Sequence, residues 1–229
     1  MSEQVKEMFG SIAGKYDLIN TVLSFGIHHR WRKKAVKLSG AKLGDHVLDC
    51  ATGTGDFAIA FKKKVGPQGR VIGTDFSPQM IAPAPAKAAS KDLEITFEVA
   101  DAMNLPYESD LFDVSSIAFG IRNVDDPSVC LKELARVTKP GGKVIVLEFG
   151  QPQGLMKTPF KIYSKYVMPF VGGLLSGNKK AYEYLPETSA KFPAGQKFLD
   201  MMRQTGCFKM EKAHSLQSGV AYIYIGTVS

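Results

Sequence analysis

Residues Val47–Ala58 read VLDCATGTGDFA, an apolar run that ends in an acid and opens into a glycine turn. Gly53-x-Gly55-x-x-Ala58 matches the strand–turn–helix pattern G-x-G-x-x-G/A, whose glycines let the backbone approach a bound nucleotide with no Cβ in the way. Asp49 stands where the strand passes into the loop. A second acid, Asp75, ends the next apolar run roughly twenty residues on, the spacing of a carboxylate that holds a ribose. These features serve a dinucleotide or another adenosine ligand, so the flanking chain has to decide.

Outward from this turn, short apolar runs alternate with helical stretches, the mark of a parallel sheet with crossover helices. The pattern predicts strands over His46–Ala51, Arg70–Asp75, Ile95–Ala100, Val114–Phe119 and Lys143–Phe149, with helices at Gly55–Lys64 and Pro127–Val137. VSSIAF and KVIVLEF do not alternate, which buried parallel strands need not do. Ser77-Pro78 is a helix cap followed by a first-turn proline. Pro83 and Pro85 then predict a broken or irregular element, because an interior proline costs about 3 kcal/mol or more. The tail adds two strands joined by Gln217–Gly219, an antiparallel hairpin. The fold class is α/β: a mostly parallel, seven-stranded Rossmann-like sheet flanked by helices.

The chain has 229 residues, 45% hydrophobic and 22% charged, which suits one domain and excludes wholesale disorder. Within it we expect a helical cap over residues 1–40, a ligand-binding core over 41–150, a covering insert over 151–195, and a helix with the hairpin over 196–229. Cys50, Cys130 and Cys207 form no paired motif, as expected in a reducing compartment. The N-terminus carries no apolar core of the signal-peptide kind, so a cytoplasmic location is expected. The net charge of +7 admits an anionic partner. No zinc-finger spacing or RNP-like strand points to nucleic acid. His46 and His214 lie far from His28 and His29, so no metal site is expected.

Three features separate the nucleotide ligands. Asp49 would repel a pyrophosphate but accept from a ligand ammonium. Asp101, directly after the third strand in VADAMNLPY, is placed to accept from an adenine amino group. RVTKPGGKVIVLE joins a helix end, a proline–glycine turn and a buried strand. In this order the features resemble the class I S-adenosylmethionine-dependent methyltransferases. The resemblance implies S-adenosylmethionine as methyl donor, with contacts from Asp49, Gly53, Thr54, Gly55, Asp75, Asp101, Ala102 and Ala118.

Two stretches speak for the acceptor. YDLINTVLSFGIHHRW (Tyr16–Trp31) and RVTKPGGKVIVLEFG (Arg136–Gly150), with FGIRNV at Phe119–Val124, resemble the ubiquinone/menaquinone biosynthesis C-methyltransferases over nearly the whole chain. The departures are Thr138 for an aliphatic residue, Gly150 for serine, and the proline-rich APAPA. The resemblance implies methylation of a ring carbon in a reduced polyprenyl quinone precursor. Arg122, Asn123 and Tyr16 would then do the chemistry, with Asn20, His28 and Tyr163 binding the acceptor. Plainer readings stand beside these: Arg122 as an ion-pair partner of Asp125 or Asp126, Tyr16 as a core aromatic on the face of Phe9, Ile12 and Ala13, and His28 as structural.

The segment after the fifth strand, rich in aromatics, methionine and lysine, reads as an ordinary helical cover over the sheet edge or as a lid. A lid would accept an isoprenoid tail and touch an anionic membrane surface. A homodimer is compatible with the sequence, as is a monomer. The nearest rival is a small-molecule or phospholipid N-methyltransferase of the same fold, which would share the donor half.

Overall fold

The structure is a computed structural model and describes residues 3–229. Three helices open the chain: α1 (Glu3–Ile12), α2 (Tyr16–Ser24) and α3 (Ile27–Ser39). The core follows as β1 (His46–Cys50), α4 (Asp56–Val65), β2 (Arg70–Asp75), α5 (Pro78–Ile81), α6 (Ala84–Ala89), β3 (Thr96–Val99), β4 (Phe112–Ala118), α7 (Pro127–Val137) and β5 (Thr138–Phe149). The insert is α8 (Lys157–Ile162), a π-helical turn (Tyr163–Val167), α9 (Met168–Ser176) and α10 (Lys179–Lys191). The chain closes with α11 (Gln196–Gln204) and the hairpin β6 (Phe208–Leu216) and β7 (Ala221–Val228).

The seven strands form one sheet in the order β3-β2-β1-β4-β5-β7-β6. All neighbours are parallel except β7, which runs antiparallel to both β5 and β6. The order reverses between β1 and β4, and in open α/β sheets ligands bind in the crevice beyond the strand ends at such a point. Here β1 pairs with β2 on one side and β4 on the other.

The expected helix break is present. Ser77 caps α5, its hydroxyl accepting from the Met80 N–H, and the chain turns at Ala82–Pro83 before α6 begins. Strand β5 starts at Thr138 rather than Lys143. Thr138 faces Phe112 and Lys143 faces Val114, so Lys139–Gly142 loop out of the ladder between them. Pro140 cannot donate to a ladder, and Gly141 takes a φ of +79°, which favours glycine.

Both departures from the family pattern in this strand have local reasons. The buried Thr138 hydroxyl lies 2.6 Å from the Leu134 carbonyl, to which it donates, and 2.7 Å from Ser115 Oγ, from which it accepts. At Gly150 a Cβ would fall 2.6 Å from Tyr222 Cε2 and 2.7 Å from the Gly219 carbonyl, so serine does not fit.

Apolar residues cover both sheet faces. Leu131, Leu134, Phe198 and Met202 bring α7 and α11 onto one face, and Trp31, Ala35, Phe57 and Phe61 bring α3 and α4 onto the other. A third cluster is separate: Ile12, Ile19 and Leu23 from the N-terminal helices pack on Met168, Ala181 and Tyr182 from the insert. The N-terminal helices and the insert thus share an apolar core of their own.

Candidate active site

Where β1 and β4 end, both chains turn sharply through left-handed residues that are not glycine, Ala51 (φ 49°) and Phe119 (φ 57°). Such conformations cost of order 1–3 kcal/mol and concentrate at functional sites. Gly120 is required at this crossing, because a Cβ there would lie 2.3 Å from the Ala51 Cβ. The two turns open the sheet edge onto two cavities. Phe9, Tyr16 and Phe119 line both, so the cavities share a wall built by the N-terminal helices and the end of β4.

The smaller cavity collects five of the eight expected donor residues: Gly53, Asp75, Asp101, Ala102 and Ala118. Asp75 is buried at the end of β2, where its oxygens accept the Gly53 N–H at 2.8 Å and the Ser77 N–H at 2.9 Å. Burial pushes its carboxyl above the usual range, and the two N–H groups pull it back. Each oxygen keeps a second lone pair for a ligand hydroxyl. Asp101 takes the Met103 N–H on Oδ1 at 2.9 Å.

Asp49, Thr54 and Gly55 lie outside both cavity walls. Asp49 sits beneath the glycine turn, fully buried, and accepts from Thr52 Oγ1 at 2.7 Å and Ser116 Oγ at 2.8 Å. Desolvation pushes its carboxyl up to about 6, against the pull of those hydroxyls. The carboxylate thus braces the glycine turn from below through Thr52 and Ser116. Gly55 shapes the entry to α4 with a φ of +86°, where a Cβ would meet Phe97 at 3.0 Å.

Thr54 serves the cap. Its hydroxyl donates to Asp17 Oδ1 at 2.5 Å, and Lys87 reaches both Asp17 Oδ2 and Asp56 Oδ1 at 2.5 Å. The broken helix thus delivers Lys87 to a bridge between α2 and the first turn of α4. Asp17 lies in the motif Tyr16-Asp17-x-x-Asn20, but nothing in the linear pattern paired it with Lys87, 70 positions away.

The larger cavity, about 330 Å³, brings together Tyr16, Asn20, His28, Arg122 and Tyr163, all expected acceptor-side residues. Asn123 faces the other cavity, and its Oδ1 accepts from the Tyr184 hydroxyl at 3.1 Å. Tyr16 lies half-buried with its ring edge-on to Phe9, and burial pushes its phenol up. Tyr163 donates to the Leu23 carbonyl, so it also straps the insert to α2.

Arg122 is ion-paired, but to Glu148 at 2.7 Å rather than to Asp125 or Asp126, and its side chain is only 3% exposed. The same Nη1 donates to the Phe119 carbonyl at 2.6 Å, and the guanidinium stands 5.4 Å from the Phe149 ring centroid. Burial pushes the Glu148 carboxyl up, and Arg122 pulls it down. Glu148 was missed because an acid inside an apolar strand, VIVLEF, carries no periodic signal of its own.

His28 is buried and neutral: burial first, then Arg32 and His29, push it down to about 3. Ser24 Oγ donates to the Asn20 carbonyl and so accepts from His28 Nδ1. His28, His29 and Asp56 place their ligand atoms within 4.8 Å of one another, a grouping the histidine count overlooked. Lys87 at 2.5 Å and Arg32 at 3.3 Å already occupy Asp56 and oppose a divalent cation there. On the far wall, the Trp31 indole N–H donates to Gln217 Oε1, a second pocket residue the sequence reading did not single out.

The profile of the ubiE/COQ5 methyltransferase family matches residues 1–228. The chain is 55% identical over 227 residues to the ubiquinone/menaquinone biosynthesis C-methyltransferase UbiE of Bdellovibrio bacteriovorus, covering 99% of this chain and 96% of that protein. It is 46% identical to the demethylmenaquinone methyltransferase of Thermus thermophilus, covering 96% and 99%. Among solved structures, a SAM-dependent methyltransferase of Thermotoga maritima superposes with a TM-score of 0.69 at 21% identity, over 97% and 99% of the two chains. That likeness concerns the fold.

Proposed function

The chain belongs to the ubiE/COQ5 methyltransferase family, and on that premise we propose that it carries the methyl group of S-adenosylmethionine to a ring carbon of a reduced polyprenyl quinone precursor. The observation that supports this most is the shared wall: Phe9, Tyr16 and Phe119 border an acid-lined cavity and a large apolar one at once. A donor in the first and an aromatic acceptor in the second would meet across it.

The smaller cavity fits the donor chemically. Asp75 faces it with spare lone pairs for a ribose diol, and Asp101 adds an acceptor for an exocyclic amine. Two acids on this wall, with Asp49 beneath the glycine turn, favour a cationic ligand over a pyrophosphate. Bound there, S-adenosylmethionine supplies an electrophilic methyl on a sulfonium that departs as a neutral thioether.

The protein's part is to align a carbon nucleophile with that methyl and exclude water. A quinol ring carbon becomes nucleophilic when the neighbouring hydroxyl loses its proton, and the developing oxyanion needs a cation. Arg122 stands at the cavity wall for this purpose, fixed by Glu148 and the Phe119 carbonyl. A guanidinium donates hydrogen bonds and offers no acceptor, so the proton leaves through water. After the carbon–carbon bond forms, the ring carbon releases its own proton and aromaticity returns. Phe119, Phe149 and Trp31 pack against one another as an aromatic floor.

The insert offers a route for a prenylated substrate. Leu155, Phe170 and Leu174 stand 97%, 71% and 77% exposed, and Phe25 and Met156, also exposed, line the larger cavity. Lys157, Lys161 and Lys165 intersperse it. No described helix is long and apolar enough to cross a membrane, so this surface would dock on one face. Mass spectrometry of quinones from cells lacking the protein tests the reading. A species one methyl short should accumulate, and an unchanged quinone profile would contradict it.

A further inference from the structure

Two arginines line the larger cavity, and they are partnered very differently. Arg122 has a dedicated counterion in Glu148 and a carbonyl on the same nitrogen. Arg32, on α3, makes no hydrogen bond to any described residue, although its side chain is only 11% exposed. Its Nη1 lies 3.3 Å from Asp56 Oδ2 without forming a hydrogen bond, and Nε has no acceptor among the described residues. Asp56 is itself shared, since Lys87 holds its other oxygen at 2.5 Å. Buried guanidinium donors are normally satisfied. A cation left this way on a cavity wall is equipped for an anion that arrives from outside.

The neighbours agree on where that anion would sit. The groups that feel the charge of Arg32 are Tyr16 from α2, Asp49 from β1, Asp56 from α4 and His28 on its own helix, with Lys87 of α6 on the other oxygen of Asp56 and His29 stacked beside His28. Tyr16 borders both cavities, and Arg32 is the strongest group pulling its phenol back toward ionisation. The field of Arg32 thus reaches the junction of the two cavities and opposes there the burial that raises the phenol overall. Neutral His28 adds no competing charge.

We infer that Arg32 holds an anionic oxygen of the bound reactants from the α3 wall, in addition to the field of Arg122, which keeps Glu148 as its counterion. The inference rests on the reading of the two cavities given above. Two reactant groups have the chemistry: the ionised ring oxygen of the acceptor and the carboxylate of the donor's amino-acid tail. Both would approach Tyr16.

Arg32→Gln and Arg32→Lys separate the sources. Titration calorimetry measures binding of S-adenosylhomocysteine and of its decarboxylated analogue, with no acceptor present, and turnover of a prenylated naphthoquinol is followed against pH. Losing a charge-assisted hydrogen bond changes affinity about ten- to a hundredfold. If the carboxylate is the partner, Arg32→Gln weakens S-adenosylhomocysteine by that factor and leaves the decarboxylated analogue unchanged. If the ring oxygen is the partner, both affinities stay at wild-type values and the rise of turnover with pH moves up by about one unit or more. In either case Arg32→Lys recovers most of the loss. Wild-type affinities with a wild-type pH profile overturn the inference, as does an equal loss of both ligands accompanied by a lowered melting temperature. A wild-type enzyme that binds S-adenosylhomocysteine yet methylates no quinol would sink the functional reading instead, and the calorimetric comparison would still stand.

Discussion

Arg122 and Glu148 close a buried ion pair at 2.7 Å between the turn after β4 and the end of β5, with side chains 3% and 1% exposed. Arg122 Nε and Glu148 Oε2 are sealed from solvent with no hydrogen-bond partner among the described residues. Desolvating two charges can cost more than their attraction returns, so the pair is weak evidence of stability and its role is settled by removing both partners together.

Removing either partner, as in Arg122→Ala or Glu148→Ala, should destabilise the fold by about 3–5 kcal/mol, because the other charge is left buried. The double variant Arg122→Met with Glu148→Leu should regain most of that stability in urea titrations but almost none of the turnover. Donor affinity should stay near wild type in any variant that folds. A double variant with wild-type turnover would assign the pair to the scaffold alone.

Asp75→Ala should behave in the opposite way. Losing both acceptors of the Gly53 and Ser77 N–H groups loosens the glycine turn, and the ribose loses its partner. Donor affinity should fall by at least about tenfold, or 1.4 kcal/mol, as seen by calorimetry with S-adenosylhomocysteine. Turnover at saturating donor should fall less. Unchanged donor affinity would move Asp75 out of the site.

Two buried groups give opposite pH dependences. The Asp49 carboxyl is raised from 3.8 to about 6, so its contribution to stability is complete below pH 3.8 and is lost as pH rises through 6. His28 is lowered from 6.5 to about 3, so its contribution is complete above pH 6.5 and is lost as pH falls from there toward 3. Asp49→Asn should therefore raise the melting temperature at pH 7, by no more than about 3 kcal/mol in stability, and flatten the slope between pH 4 and 6. His28→Gln should flatten the acid limb below pH 6.5. Melting curves across pH 4–8 check both, and slopes equal to wild type in both variants would remove these two groups from the account.

The exposed insert residues can be tested without touching the cavity. Phe170→Ser with Leu174→Ser should reduce flotation on liposomes containing anionic lipid by severalfold, while donor affinity holds. Wild-type protein that floats with neither neutral nor anionic liposomes would remove the membrane docking surface.

Much of this architecture was legible in the chain. Val47–Cys50, Arg70–Asp75 and Val144–Leu147 are strands because buried β-branched runs next to glycine turns have few other fates, and all are strands in the structure. Pro83 and Pro85 marked the helix break. Asp75 and Asp101 reach the smaller cavity, and Tyr16, Asn20, His28, Arg122 and Tyr163 the larger. What the pattern does not give is which way each residue of the glycine turn faces: the Asp49 side chain is turned under the loop toward Thr52 and Ser116, while the Gly53 backbone borders the cavity. Glu148, Arg32 and Lys87 take their roles from pairings between distant elements, and local pattern does not encode those. Arg32 looked like one more base in RWRKK until α3 packed it against Asp56.

The most direct test of the central claim supplies purified protein with S-adenosylmethionine bearing a trideuterated methyl group and a prenylated demethylnaphthoquinol. The product is then examined by mass spectrometry and NMR. The account requires the labelled methyl on the ring carbon beside a hydroxyl, with S-adenosylhomocysteine formed in equal amount. Label on oxygen, or none transferred to the quinol while the donor still binds, would contradict it.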